Sequence, residues 1–261
     1  MGLKISLAQM DVLLGKPDEN LAKAREMTTR AAERDSDIII FPELWSTGYD
    51  LENAAVYSTP TDSGIFAEMA SLASEYSIHI SGSCLLLLEP GRFGNTAVFF
   101  DPDGKILGEY TKIHLFGLMD EHKYLSAGDH LTLVDTPWGK AGLAICYDLR
   151  FPELFRSYAL AGAKVVFLPA EWPHPRLAHW EILLRARAIE NQMYIVACNR
   201  VGVSKNTHFC GHSCIIDPWG ESVVEAGEDE EISTAEIDVD KVDQVRARIP
   251  VFADRRPKAY E

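Results

Sequence analysis

The sequence has no long hydrophobic run, and none of its apolar stretches approaches the roughly eighteen residues that a membrane-spanning helix needs. Its first residues, MGLKISLAQM, also lack the charged and then apolar pattern, followed by a small-residue cleavage site, that marks a secretory signal. We therefore expect a soluble cytoplasmic protein that has no membrane partner.

Positive charge is scarce, since the 261 residues include 25 Lys and Arg against 39 Asp and Glu, a formal net charge of −14. Proteins that bind nucleic acid present a basic face to the phosphates, so this composition argues against a nucleic-acid partner. It does not exclude an anionic small molecule, because one or two local cations in a pocket are enough to bind one.

Cysteine is infrequent and odd in number, which argues against a disulfide framework and for reduced thiols. The five residues are Cys84, Cys146, Cys198, Cys210 and Cys214. The GxGxxG and Walker patterns of nucleotide-binding proteins are absent as well. We predict a protein that works without a cofactor.

The stretch AGLAICYDLRFP, residues 141–152, has the pattern of a buried strand that runs into a helix. Small apolar residues make up the strand at 141–145, and Pro152 with Glu153 opens a helical run. Cys146 is then expected on the turn between them. The free N–H groups of a helix start favour a thiolate and can hold an oxyanion, so Cys146 is a candidate nucleophile. The alternative is one more buried structural cysteine.

Two further strands are followed by polar residues that suit catalysis. The apolar run at 38–41 leads into Pro42 and Glu43, and a partly buried glutamate at a strand end can act as a base near neutral pH. The strand at 105–110 leads into Lys112, which can serve as an electrophile. Each of these two charged side chains has an ordinary alternative as a solvated surface residue.

Helix pairs separated by pairs of strands, with hairpins among them, predict an α/β protein built as a four-layer αββα sandwich of two mixed sheets with helices outside. No repeat or linker divides the chain, so residues 1–261 are expected to form a single domain, with 250–261 as a C-terminal arm. An apolar stripe at helical spacing marks one face of a helix predicted at 180–192. Its members are Ile182, Ala186, Ile189 and Met193.

Four potential metal ligands alternate along one stretch, His208, Cys210, His212 and Cys214. On a single strand they would share a face but span roughly 20 Å, too far for one ion whose ligands lie at about 2.0–2.3 Å. We therefore expect no metal site. A cysteine hydrolase that uses His114 or His212 as its base stays open on the residues alone.

Three segments, FPEL at 41–44, YTKIHLF at 110–116 and CYDLRFPE at 146–153, resemble the signature segments of the nitrilase superfamily of carbon–nitrogen hydrolases. They occur in the same order, and the likeness extends over nearly the whole chain. AHWEILLRARAIENQ at 178–192 and GHSCIIDPWGE at 211–221 are most similar to the omega-amidase branch. The resemblance implies the nitrilase-type fold and a homodimer or higher homo-oligomer.

The resemblance also implies roles for individual residues. Glu43 would take the thiol proton, and Cys146 would attack the carbon of a small-molecule amide. Lys112 and the backbone N–H of Tyr147 would stabilise the oxyanion, and a thioester would remain after ammonia leaves. Glu121 matches the second glutamate of the family, which orients the site.

Aromatic residues are expected to line the substrate pocket, although ordinary aromatic packing is an equal alternative. They are Tyr49, Phe116 and Trp172. Arg150 or Arg176 can meet a substrate carboxylate as a bidentate partner, and nothing in the sequence chooses between them. Arg150 has the further alternative of pairing with Asp148 or Glu153.

The predicted function is therefore an amidase that releases ammonia from a dicarboxylic acid monoamide such as 2-oxoglutaramate. A general aliphatic amidase, an N-carbamoyl amino acid hydrolase and a nitrilase would use the same three residues and remain alternatives. A catalytically silent binding protein that keeps the fold is the alternative from a different class.

Overall fold

Strands with apolar residues on both faces form the centre of the protein, because each of their faces is covered by another layer. The structure, a computed structural model, describes residues 1–259. The strands are β1 (Gly2–Gln9), β2 (Ile38–Ile40), β3 (His79–Glu89), β4 (Arg92–Phe100), β5 (Ile106–Thr111), β6 (Leu133–Thr136), β7 (Gly139–Leu143), β8 (Val165–Ala170), β9 (Tyr194–Asn199), β10 (Val201–Ser204), β11 (Thr207–Cys210), β12 (Cys214–Ile216), β13 (Ser222–Glu225) and β14 (Glu231–Asp238). The helices are α1 (Pro17–Ala32), α2 (Ala54–Tyr57), α3 (Gly64–Tyr76), α4 (Glu121–Tyr124), α5 (Pro152–Leu160), α6 (Leu177–Asn191) and α7 (Lys241–Arg248).

Most of the strands described within residues 1–259 belong to two six-stranded mixed sheets with related topologies. The first sheet has the order β14-β1-β2-β3-β4-β5, and the second has the order β13-β12-β9-β8-β7-β6. Each sheet has three parallel strands at its centre, β1 to β3 in the first and β7 to β9 in the second. The outer strands pair antiparallel. Strands β10 and β11 form a separate hairpin.

The two sheets pack face to face, and helices cover their outer faces, which confirms the predicted four layers. In β2, Ile38 and Ile40 belong to the core between the sheets, whereas Ile39 packs in the core that α1 and α3 form with the first sheet. Phe99 and Phe167 meet across the sheets with ring centroids 5.4 Å apart. Helices α5 and α6 cover the second sheet.

The apolar face predicted for α6 is wrong. Ile182 is 65% exposed and Ile189 is 52% exposed, although both belong to the predicted stripe. The buried face carries Trp180, Leu184 and Ala188 instead. The helix has two apolar stripes at helical spacing, and only packing against the second sheet selects between them. Of the predicted stripe, Ile182 and Ile189 are left exposed, whereas Met193 is fully buried.

The alternating histidines and cysteines do not lie along a single strand. His208 and Cys210 are on β11, whereas Cys214 begins β12 in the second sheet. His212 lies between these strands with a φ of +54°, in the left-handed region. The four residues are therefore divided between the β10–β11 hairpin and the second six-stranded sheet, and they do not form one extended row.

The predicted C-terminal arm follows α7 and is described as far as residue 259. Its side chains are partly or fully exposed, and a 3₁₀ turn spans Pro257–Ala259. Phe252 packs under the guanidinium groups of Arg156 and Arg246, at 5.3 and 5.2 Å from the ring centroid. Residues 260 and 261 of the predicted arm lie outside the described residues. Within residues 1–259, no helix has the length and apolar character to cross a membrane.

Candidate active site

Three of the predicted site residues follow strand ends. Glu43 follows β2 and Lys112 follows β5, both in the first sheet, whereas Cys146 follows β7 in the second. The strand expected at 141–145 ends earlier, at Leu143, because Cys146 begins a 3₁₀ turn that precedes α5. The site is therefore assembled where the edges of both sheets meet.

Lys112 lies between two carboxylates at the base of the site. Its Nζ donates to Oε1 of Glu43 at 2.7 Å and to Oε1 of Glu121 at 2.6 Å. All three side chains are fully buried. Two of the three ammonium hydrogens are thereby directed to carboxylates. The third is left for a substrate atom or for the hydroxyl of Tyr49, which lies 3.4 Å away.

Further donors fix the two carboxylates. Asn95 Nδ2 donates to Glu43 Oε1 at 2.7 Å, and the backbone N–H of Glu171 donates to Glu43 Oε2 at 2.9 Å. Glu121 Oε2 accepts the backbone N–H of Phe116 at 2.5 Å. Both oxygens of each carboxylate are occupied, so neither group can rotate without breaking a buried hydrogen bond.

Tyr49 lies among the carboxylates and not in the predicted pocket lining. Its hydroxyl is 2.6 Å from Glu121 Oε1 and 3.0 Å from Glu43 Oε1. Burial raises the pKa of Tyr49, and the charges of Glu121 and Glu43 raise it further. The hydroxyl therefore keeps its hydrogen and links the two glutamates.

The charges at the base of the site shift one another's pKa values. Burial alone would lower the pKa of Lys112, but the adjacent carboxylates of Glu43 and Glu121 outweigh this effect and raise it. Burial raises the pKa of Glu121, and Lys112 opposes that shift. Lys112 is therefore a permanent ammonium, which suits it to hold negative charge and not to act as a base.

Cys146 has an unusual backbone conformation, with a φ of +43° in the left-handed region. A residue with a side chain pays about 1–3 kcal/mol for such a conformation, which persists only where the surroundings impose it. The residue is 5% exposed and lies at the wall of a cavity. The strained turn thus places the thiol where a small molecule can reach it.

The surroundings of Cys146 do not favour the thiolate expected from its turn. Burial raises the pKa of the Cys146 thiol, the charge of Glu43 raises it further, and Lys112 opposes the shift. Both effects favour the protonated thiol, beside a carboxylate that can accept its hydrogen. The short turn that follows the cysteine does not outweigh its burial beside a carboxylate.

A narrow cleft, called the cavity below, opens beside Cys146. The residues that line it are Phe116, Cys146, Tyr147, Arg150, Glu171, Trp172, Pro173 and Arg176. Every residue predicted to bind substrate is in this set except Tyr49.

Both candidate arginines are held at the cavity by aromatic faces. The guanidinium carbon of Arg150 lies 4.7 Å from the ring centroid of Trp172, and that of Arg176 lies 5.4 Å from that of Phe116. Such stacking orients a guanidinium while leaving its N–H groups free to bind an anion. Arg150 also contacts Nδ1 of His179 at 3.3 Å.

The partners considered as alternatives for Arg150 and for the thiol differ from those observed. Asp148 is hydrogen-bonded to His114 and not to Arg150, since His114 Nδ1 lies 2.7 Å from its Oδ1. His212 lies beside two other glutamates, at 3.6 and 3.7 Å. Glu43 is the carboxylate whose charge acts on the thiol of Cys146.

One group of side chains in residues 1–259 has the composition of a metal site. Glu181, His212 and Glu225 offer ligand atoms that lie within 4.8 Å of one another. The guanidinium of Arg185 is 3.5 Å from Glu225 and already supplies a cation at this position. The cluster lies outside the cavity beside Cys146.

Asn95 and Glu171 contribute to the site but were not predicted. Asn95 lies in the middle of a buried strand, where only the register of the sheet directs it to Glu43. Glu171 follows the apolar strand β8, as Glu43 follows β2, and this repeated pattern is the signal that could have identified it. Its side chain is buried against Arg200 at 3.2 Å. Burial raises the pKa of Glu171 to about 8, with Arg200 opposing the shift and Glu43 adding to it.

The Carbon-nitrogen hydrolase family profile matches residues 4–247. The chain therefore belongs to the carbon–nitrogen hydrolases of the nitrilase superfamily.

Among curated relatives, the chain is 43% identical to a 2-oxoglutaramate amidase of Bacillus subtilis, with 98% of each chain covered. It is 33% identical to an omega-amidase of Homo sapiens, over 98% of this chain and 96% of that one. Among solved structures, it resembles a CN-hydrolase superfamily protein of Xanthomonas campestris that carries an arsenic adduct in its active site. The TM-score is 0.92 at 32% identity, and 98% of each chain is covered.

Proposed function

We propose that the protein is an omega-amidase that hydrolyses a dicarboxylic acid monoamide of the 2-oxoglutaramate type through a thioester on Cys146. The observation that carries the proposal is the contact of Lys112 with Glu43 and Glu121 at 2.7 and 2.6 Å, beside a cavity that contains the thiol. A permanent cation, a base and a nucleophile are the parts that acyl transfer from an amide requires.

The first half of the reaction forms the thioester. Glu43 accepts the thiol proton, and the sulfur of Cys146 bonds to the amide carbon. The negative charge moves to the amide oxygen, where the free N–H of Lys112 and the backbone N–H of Tyr147 hold it. When the oxyanion collapses, the carbon–nitrogen bond breaks, and Glu43 returns its proton to the nitrogen, which leaves as ammonia.

The second half hydrolyses the thioester. Glu43 takes a proton from water, the hydroxide adds to the carbonyl carbon, and the same donors hold the new oxyanion. The carbon–sulfur bond then breaks, and the sulfur recovers the proton from Glu43. Glu121 orients Lys112 throughout. These steps require no metal or organic cofactor.

The arginines at the cavity support the choice of substrate class. Arg150 and Arg176 stack on aromatic rings at the same cavity as Cys146, so an amide placed at the thiol can direct a second, anionic end towards them. Because the chain has a net charge of −14, two cations at one cavity stand out from the rest of the protein and indicate an anionic ligand. The relatives named as 2-oxoglutaramate amidase and omega-amidase support the same class.

Ammonia release from a panel of amides tests the proposal. The panel is 2-oxoglutaramate, succinamate, glutamine, propionamide, an N-carbamoyl amino acid and a nitrile. We expect kcat/KM for 2-oxoglutaramate and succinamate to exceed that for propionamide at least about tenfold, the ratio that one charge-assisted contact supplies. Equal rates for propionamide would favour an aliphatic amidase, and turnover of the carbamoyl compound or the nitrile alone would favour those alternatives. No turnover with any member would favour the silent binding protein.

We also propose that the protein works as a homodimer or larger homo-oligomer of single-domain chains in the cytoplasm. The exposed Ile182 and Ile189 on α6 supply an apolar surface for such a contact. All five cysteines are unpaired, which suits a reducing compartment.

A further inference from the structure

Asp148 is a fully buried carboxylate that lies in the same turn as Cys146 and has four hydrogen-bond donors around it. Its Oδ2 accepts the backbone N–H of Ile145 and the hydroxyl of Tyr110, each at 2.8 Å. Its Oδ1 accepts the backbone N–H of His114 at 3.2 Å and lies 2.7 Å from His114 Nδ1. An ionised carboxylate only accepts, so Nδ1 of His114 carries a hydrogen.

The four donors come from the two segments that carry the reacting groups. Ile145 directly precedes Cys146, and Tyr110 and His114 lie two residues before and two residues after Lys112. One carboxylate thus connects the cysteine turn of the second sheet to the lysine segment of the first. A small displacement of either segment would stretch a buried, charge-assisted hydrogen bond.

The groups around Asp148 are themselves held in place. The hydroxyl of Tyr110 accepts the backbone N–H of Ile113 at 3.3 Å while it donates to Asp148. Burial raises the pKa of Tyr110, and the charge of Asp148 raises it further, so the hydroxyl keeps its hydrogen. The ring of His114 stacks on Phe151, with centroids 3.6 Å apart and planes 6° from parallel. The network therefore has one arrangement.

We propose that Asp148 is a positioning residue that fixes Cys146 and Lys112 relative to each other, so that the sulfur and the oxyanion donor meet the same carbonyl group. The bond to Ile145 holds the left-handed turn of the nucleophile. The bonds to Tyr110 and His114 hold the segment of the cation. The two functions of one carboxylate are separable, because different donors serve them.

The inference rests on the proposed roles of Cys146 and Lys112. Its test distinguishes a failure of the inference from a failure of the proposed function. Asp148→Asn keeps the shape of the side chain but turns an amide N–H towards groups that are themselves donors. Tyr110→Phe removes one donor on the lysine side and leaves the bond to Ile145 intact. Tyr194→Phe is the matched control, because it also deletes a buried hydroxyl, which donates to the carbonyl of Asp238 at 3.0 Å.

Two measurements are made on each folded variant, with folding checked by circular dichroism. The first is kcat and KM for an amide that the wild type hydrolyses. The second is the rate at which iodoacetamide alkylates Cys146, which needs no substrate. We expect Asp148→Asn to lower kcat at least about tenfold and to slow alkylation about fivefold, with KM changed less than about threefold. Tyr110→Phe should lower kcat about threefold to tenfold and leave alkylation within about twofold.

Other outcomes would show whether the inference or the proposed function is wrong. Wild-type kcat and alkylation in folded Asp148→Asn, or equal effects of Tyr110→Phe and Tyr194→Phe, would overturn the inference. If Asp148→Asn does not fold, the difference between Tyr110→Phe and Tyr194→Phe decides. If the wild type hydrolyses no amide, the proposed function fails, and the alkylation rates still test the effect of Asp148 on the cysteine turn.

Discussion

The backbone N–H of Glu171 donates a hydrogen bond of 2.9 Å to Oε2 of Glu43, although the two residues follow strands of different sheets. The proposed base is thus held from the first sheet by Asn95 and from the second by a main-chain donor. Because a main-chain N–H cannot be removed by changing a side chain, substitutions at Glu171 leave this support in place.

The side chain of Glu171 predicts a pH dependence of stability. Its folded-state pKa of about 8 is well above the ordinary value of 4.5 that applies when the chain unfolds. Between these values the folded state binds more protons at this site, so the free energy of unfolding should fall as pH rises from about 4.5 to 8. Glu171→Gln cannot titrate. In urea denaturation at pH 6 and pH 9, the wild type should lose more stability than the variant, and equal losses would contradict the prediction.

Cys146→Ala should abolish ammonia release, because no other group can form the thioester, and should leave the fold intact. Cys214→Ala is the matched control, since it deletes a buried thiol far from the cavity. We expect the control to retain activity within about threefold and to lose only some stability. Activity in Cys146→Ala above the background of the assay would refute the proposed mechanism.

Lys112→Ala should affect both activity and stability. Without the ammonium, the buried carboxylates of Glu43 and Glu121 repel each other, and breaking a buried ion pair costs roughly 3–5 kcal/mol of unfolding free energy. The loss of an oxyanion donor should lower kcat at least about 100-fold. Denaturant melts and kcat of the folded fraction measure the two effects separately. A stable and inactive variant would show that the carboxylates share a proton in its place.

Arg150→Gln and Arg176→Gln should separate the arginine that binds the substrate carboxylate from the one that does not. Losing a charge-assisted contact worth about 1.5–3 kcal/mol should lower kcat/KM for a dicarboxylic acid monoamide roughly 10- to 100-fold. The same variant should hydrolyse propionamide as well as the wild type does, which serves as the internal control. If both variants lose activity towards both substrates, the arginines support the cavity and do not recognise an anion.

Ile182→Asp should shift the protein towards a monomer, because it buries a charge in the proposed contact on α6. Val56→Asp is the control, since Val56 is 75% exposed on α2, away from that helix. Light scattering coupled to size exclusion gives the mass of each variant. A wild type that is already monomeric would refute the oligomer, and an unchanged mass in Ile182→Asp would move the contact elsewhere.

The parts of this structure that were predictable depend on local pattern. Each of the three reacting residues follows a strand that is recognisable from its apolar sequence, namely Glu43, Lys112 and Cys146. The order of their sequence motifs then indicated that they form one site. Asn95 and Asp148 were not predictable, because the register between strands decides what they contact. The buried face of α6 was missed for a similar reason, since two apolar stripes at the same spacing look alike until a sheet covers one of them.

The local sequence pattern also could not predict the electrostatic environment of the site residues. The turn at Cys146 suggested a stabilised thiolate, but the thiol pKa is raised by burial and by the charge of Glu43, which is about a hundred residues away in the chain. Likewise, Tyr49 has the composition of a pocket residue, and only the fold shows that it links two carboxylates.

The division of the site between two sheets has a consequence for how the enzyme forms. Glu43, Lys112 and Glu121 precede β6, and Cys146 with Glu171 follows it, so neither half of the chain contains a working set of groups. Long-range pairing of this kind delays native contacts until late in folding. During refolding, recovery of ammonia release should therefore lag behind recovery of secondary structure. Catalysis in this protein would then report the final docking of the two sheets against each other.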